Sequence, residues 1–211
     1  MNRKNVILAG AAPDTANLGV DALCYSTAAS ILKNDNPIDI TILSHGNSFE
    51  KDAYRLNDGK TCNVMGAKYT KRMYSPSSFF NIAALRNVPL VTTKQKSVFK
   101  NASAILDVSG GDSFTDLYGQ KRFDSIVFPK QLAKDYKKPL ILMPQTYGPF
   151  KGKEFETKAS ELIKYASMAF ARDRYSFDYM KELLGGNFDP KIHKLAVDVA
   201  FLLPISPVSK I

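Results

Sequence analysis

The sequence has little cysteine, little histidine and no long apolar run, and each shortage argues against a class of protein. Two cysteines, Cys24 and Cys62, cannot build a disulfide framework, so a reducing, cytoplasmic setting is expected. The two histidines, His45 and His193, lie far apart and lack the His, Cys or carboxylate spacing of a zinc site; each is read as a surface or core residue. The apolar stretch after Met1-Asn2-Arg3-Lys4-Asn5 stops at Pro13 and Asp14, too short for a signal peptide or a membrane span, and at most peripheral contact with the inner membrane face is expected. No Gly-x-Gly-x-x-Gly follows the first apolar run and no Gly-x-x-x-x-Gly-Lys-Ser/Thr occurs, which argues against an ordinary dinucleotide or P-loop site. Blocks of like charge are missing too, so no nucleic-acid arm is expected. The 29 Lys and Arg against 20 Asp and Glu nevertheless give a net charge of +9, which draws anions in general.

What is present reads as one packed domain. Among 211 residues, 45% are hydrophobic and 23% charged, enough apolar material for a single large α/β core. Short β-type runs at Val6–Ala9, Ile38–Leu43, Ala104–Val108, Leu140–Met143 and Met168–Ala171 alternate with helical patterns, and Cys62–Met65 is a weaker candidate. That alternation predicts a Rossmann-like, mainly parallel sheet with helices on both faces. Helical stripes run through Leu23, Cys24, Thr27, Ala28, Ile31 and Leu32, through Phe155, Ala159, Leu162, Ile163 and Ala166, and through Phe177, Met180, Leu183 and Leu184 before Gly185-Gly186. Ser77 and Ser176 are expected N-caps, and Pro129 is expected to kink or divide a helix over Phe123–Lys137. Residues 1–203 form the predicted domain, and the Pro- and Ser-containing tail 204–211 reads as a linker or a point of truncation.

Parallel sheets bind ligands beyond the carboxyl ends of their strands, and the unusual residues fall there. Asn17 and Gly19 open the first long helix, as an anion seat or simply as its cap. Gly110 and Gly111 allow close approach of backbone to a ligand, or only a tight turn. Asp112 is a candidate for holding a sugar hydroxyl and taking its proton, against the plainer role of a cap or turn carboxylate, and Asp116 is a weaker one. Gln145 and Tyr147 can donate to hydroxyls, while Gly148-Pro149 marks a sharp bend. Arg172 follows an apolar strand and can grip a carboxylate or phosphate, or pair internally with Asp173. Asp107, Asp112 and Asp116 do not converge as a metal site by their spacing.

Five blocks in order carry a resemblance: Asn17-Leu18-Gly19-Val20-Asp21-Ala22-Leu23, Ser109-Gly110-Gly111-Asp112-Ser113-Phe114-Thr115-Asp116, Gln145-Thr146-Tyr147-Gly148-Pro149-Phe150, Ala171-Arg172-Asp173-Arg174-Tyr175-Ser176 and Asp198-Val199-Ala200-Phe201-Leu202-Leu203. Together they resemble the N-terminal half of polysaccharide pyruvyl transferases, with two departures: Val20 separates Gly19 from Asp21, and Ser109 stands where a third glycine is common. The resemblance implies one lobe of a GT-B-like two-lobed fold, with donor-binding basic residues largely in a second lobe and poor activity for this lobe alone. It implies transfer of pyruvyl from phosphoenolpyruvate to a pair of sugar hydroxyls in exopolysaccharide or cell-wall glycan synthesis, with free or lipid-linked glycans as acceptors and no organic cofactor or metal. Asp112 and Arg172 are then the catalytic candidates, and Asn17, Gly19, Asp21, Gly110, Gly111, Gln145, Tyr147, Gly148 and Asp173 the binding ones. A nucleotide-sugar glycosyltransferase lobe and a non-catalytic glycan-binding module are the rival readings.

Overall fold

The computed structural model describes residues 3–13, 15–33, 37–46, 48–70, 72, 75–88, 90–91 and 93–204. The tail expected to be a linker therefore lies outside the described residues, Pro204 apart. Eight strands form one sheet: β1 (Lys4–Ala9), β2 (Ile38–Ser44), β3 (Phe49–Arg55), β4 (Thr61–Gly66), β5 (Ala104–Asp107), β6 (Leu140–Gln145), β7 (Met168–Ala171) and β8 (His193–Leu195). Their order is β3-β4-β2-β1-β5-β6-β7-β8, and every pair is parallel except β3 with β4. The helices are α1 (Leu18–Leu32), α2 (Phe79–Ala84), α3 (Lys94–Asn101), α4 (Gln120–Asp135), α5 (Lys153–Tyr165) and α6 (Arg174–Leu184). This is the Rossmann-like, mainly parallel architecture that the alternating runs predict.

Successive strand residues point to opposite faces, and the sheet sorts its side chains accordingly. Ile7 and Ala9 of β1, Leu43 of β2 and Ile105 of β5 face a core built with α2 to α6. Leu8, Ile40, Ile42 and Leu106 face the other side, against α1 and the short turn Val199–Leu202. Both faces are thus covered, which is why the central strands read as unbroken apolar runs. A fully buried Leu or Ile of this kind is worth roughly 1.5–3 kcal/mol relative to exposure.

Several local expectations shift. β3 has no apolar run because it is an edge strand whose Glu50, Lys51 and Asp52 face solvent, a composition that discourages further strand pairing. α6 is capped by Asp173 rather than Ser176: Asp173 Oδ1 accepts from Ser176 N at 2.7 Å and Oδ2 from Ser176 Oγ at 3.0 Å. The N-cap of α2 is Ser78, one residue past Ser77, and its hydroxyl donates to Thr70 O. Pro129 does not divide α4, which runs from Gln120 to Asp135. Gly185 ends α6 at a φ of 50°, as the glycine pair anticipates. His193 is a core residue whose Nδ1 accepts from Asp189 N at 2.9 Å.

One buried ion pair fixes the loop after β5. Lys130, in the apolar stripe of α4, is fully buried and places its Nζ 2.7 Å from Asp107 Oδ1 at the end of β5. The ammonium also donates to Ser109 Oγ and Ile126 O, both at 2.8 Å, and sits 4.6 Å from the centre of the Phe114 ring. Burial pulls the Lys130 pKa down and the Asp107 carboxylate opposes that pull. Asp107 Oδ1 in turn accepts from Ser109 N at 2.9 Å and Ser109 Oγ at 2.7 Å. Removing one partner strands a charge in the core, so Asp107→Ala is expected to cost about 3–5 kcal/mol in urea unfolding, with much of it recovered by adding Lys130→Met. The buried thiols of Cys24 and Cys62 are pushed up to about 12 by burial. Native protein at pH 8 is therefore expected to react slowly with a thiol reagent and unfolded protein fast, as absorbance of the released chromophore will report.

Candidate functional site

The strand order reverses at β1, which has β2 on one side and β5 on the other, so the loops after β1 and β5 diverge at the carboxyl edge. They also lock together there. Gly110 N donates to Gly10 O at 2.6 Å, and a Cβ on Gly10 would stand 2.3 Å from Ser109 N, a contact only glycine avoids. Ser109, Gly110 and Gly111 all have positive φ, at 48°, 62° and 85°. For Ser109 that conformation is unfavourable, and the bonds of its amide and hydroxyl to Asp107 hold it.

The loop is clasped from the β6 side as well. Thr146 N donates to Gly111 O at 2.7 Å, Gly148 N to Phe114 O at 2.9 Å, and Thr115 Oγ1 to Pro149 O at 2.6 Å. The Gly148–Pro149 peptide is cis. Asp116 Oδ2 accepts from Lys151 N and Gly152 N, so this carboxylate caps the approach to α5. The four loops therefore share one edge, with those after β5, β6 and β7 and the start of the β1 loop bonded to one another; of Asn17, Asp112, Gln145 and Arg172, expected to share a rim, Gln145 is buried beneath it.

The side chains divide into those held by the fold and those facing out. Asn17 caps α1, its Oδ1 accepting from Gly19 N at 3.0 Å and Val20 N at 3.2 Å. Asp21 Oδ1 accepts from Thr15 N and Thr15 Oγ1 and closes the loop before that helix. Asp173 caps α6. Gln145 and Tyr147 are fully buried beneath the β5 loop, where their polar ends face each other and make no hydrogen bond of good geometry to any other described residue. In this conformation they do not reach the open cleft. Burial drives the Tyr147 phenol pKa far up, so it stays protonated.

Asp112 is exposed, and its carboxylate accepts from Ser113 Oγ at 3.3 Å and from Tyr118 Oη at 3.0 Å. That bond raises the Tyr118 pKa. Arg172 pairs with Asp198, Nη1 to Oδ2 at 2.8 Å, rather than with the adjacent Asp173. Its Nη1 lies close against the loop, since a Cβ on Gly111 would come within 2.8 Å of it. The Arg172–Asp198 contact links two of the sequence blocks that carry the resemblance.

Three residues of this edge carry no signal in their own sequence neighbourhoods. Arg122, in the first turn of α4, donates from Nη2 to Ser113 Oγ at 3.0 Å, one residue from Asp112. Tyr118 is visible only as a residue of a Gly-bounded loop. His45, read as a surface or core residue, stands with Arg122 on the wall of a cavity of about 720 Å³ formed by the loop after β1, the end of β2 and α4. Lys130 did leave a trace, as a lysine flanked by Val127, Pro129, Leu132 and Ala133.

Asp107, Asp112 and Asp116 make separate attachments, and among the described residues no three His, Cys, Asp or Glu side chains group as metal ligands. No helix of the described residues is long and apolar enough to cross a membrane. The loop order, the locked Gly10–Gly110 crossing and the Arg172–Asp198 pair all lie inside, or against, a stretch that matches a family model for polysaccharide pyruvyl transferase over residues 17–211. The chain belongs to the polysaccharide pyruvyl transferase family.

Proposed function

We propose that this chain takes part in moving the pyruvyl group of phosphoenolpyruvate onto two hydroxyls of a sugar, giving a pyruvate ketal and phosphate. The observation that carries the reading is the meeting of an exposed carboxylate and a guanidinium on one glycine-built loop: Asp112 adjoins Gly111, against which the Arg172 guanidinium packs. Family membership supplies the substrate classes, a glycan acceptor and a pyruvyl donor.

In this reading the donor's methylene carbon gains a proton and C2 becomes cationic. A first sugar hydroxyl attacks C2, phosphate leaves, and a second hydroxyl closes the ketal. Two hydroxyl protons are released; one balances the new methyl group and the other goes out on phosphate. Asp112 accepts a hydroxyl proton, and its bond from Tyr118 keeps that carboxylate oriented. Arg172 retains N–H donors beyond the one given to Asp198, and these suit the donor's carboxylate or phosphate. Asp198 is a positioning residue, holding the guanidinium against the loop. Exposed apolar side chains around the same edge, Leu18, Leu117, Tyr118 and Tyr175, suit closure by a second body that excludes water.

Phosphate release from phosphoenolpyruvate on addition of a glycan panel tests the reading; consumption of a nucleotide sugar in its place would overturn it. Asp112→Asn is expected to lower turnover about 10²–10⁴-fold while the unfolding midpoint holds. Arg172→Ala is expected to weaken use of phosphoenolpyruvate by more than about tenfold, with Asp198→Asn giving a smaller loss in the same kinetic parameter. Unchanged kinetics for Arg172→Ala would remove it from the site.

A further inference from the structure

The cavity beside the Asp112 loop has a charge that the chemistry above does not use. Its volume of about 720 Å³ falls within the usual range for a small-ligand pocket, about 300–1,000 Å³. Part of the wall is aromatic, from Tyr54, Tyr69 and Phe79. The polar part holds Arg122 and His45, with Glu50 as the carboxylate on the wall among the described residues. Arg122 has its single hydrogen bond to the Ser113 hydroxyl and no ion-pair partner among the described residues. A guanidinium with no carboxylate partner among the described residues, partly withdrawn from solvent and facing a cavity, is a preformed seat for an oxyanion. Arg122 and Lys68 both bear on this wall: after burial, their charges are what lower the His45 pKa.

Aromatic walls with one fixed cation describe a ligand that is part sugar and part anion. Arg122 ties the cavity wall to the Asp112 loop, because it donates to Ser113 Oγ, and Ser113 Oγ donates to Asp112 Oδ1 at 3.3 Å. We infer that this cavity binds a sugar bearing an oxyanion, with the charge on Arg122 and the ring against the aromatic wall. Calling that sugar the acceptor rests on the pyruvyl-transfer reading; the binding itself does not. The substrate class this selects is a charged glycan unit, phosphorylated or carboxylated, over a neutral one.

Calorimetry on the chain as it stands, with no donor present, tests the binding. The probes are glucose 1-phosphate, glucuronate, glucose and inorganic phosphate. The expected order places one of the two charged sugars well ahead of both glucose and inorganic phosphate, and which of the two leads identifies the anion. Arg122→Gln is expected to weaken that binding at least about tenfold, and His45→Ala to weaken it less. Asp112→Asn should leave the charged-sugar affinity in place or raise it, since it removes a negative charge nearby. Equal affinity for glucose and the charged sugars, or an Arg122→Gln variant with native unfolding midpoint and native affinity, overturns the inference. Charged-sugar binding with consumption of a nucleotide sugar in place of phosphoenolpyruvate would sink the proposed reaction and leave this site standing. Transfer to neutral glycans alone would do the reverse.

Discussion

A buried ammonium and a buried carboxylate 2.7 Å apart decide where the chemistry-bearing loop of this protein goes. Neither charge is tolerable in the core alone, so α4 and the end of β5 are constrained to one relative placement. Ser109 completes the arrangement by bonding both groups, and it thereby accepts a backbone conformation that an unassisted serine avoids. From that point the chain turns through Gly110 and Gly111 and exposes Asp112. A hydrophobic pair in place of Lys130 and Asp107 would pack, but it would supply no acceptor for Ser109 N. The interaction therefore specifies geometry more than it adds stability.

The polar residues of the four loops do two different jobs, and their partners separate them. Asn17, Asp21, Asp116 and Asp173 satisfy free N–H groups at helix starts and loop ends, where an unpaired donor would otherwise weaken the edge. Asp112, Arg122 and Arg172 keep part of their bonding capacity unused among the described residues. The first group makes the rim rigid enough for the second to hold position. A ligand meeting such a rim encounters groups already oriented, which is the condition for electrostatic stabilisation without reorganisation.

Much of the sheet was legible because its parallel strands are buried on both faces and so appear as apolar runs of β-type residues. β3 was not, since an edge strand of Phe, Glu, Lys, Asp, Ala, Tyr and Arg has solvent on one side; the Asp58-Gly59 turn that joins it to β4 was the available cue. Helix caps slipped by up to three residues because a serine near a helix start serves equally inside the first turn, as Ser176 does beneath Asp173. The candidate site was legible at the level of loops, through glycine, proline and isolated charges after strands. Arg122 and His45 were not, because neither stands in such a loop pattern and only folding brings α4 beside the end of β2.

The sequence by itself determined the class of fold, the edge on which the glycine-bearing and charged loops gather and the family, since apolar periodicity and loop residues are local properties of the chain. Tertiary structure alone decided which charges are available there. Whether an aspartate is a cap, an ion-pair partner or an open carboxylate depends on what the fold sets within about 3 Å of it, and hydrogen-bonding and Coulomb energies fall too steeply with distance for residue order to reveal that.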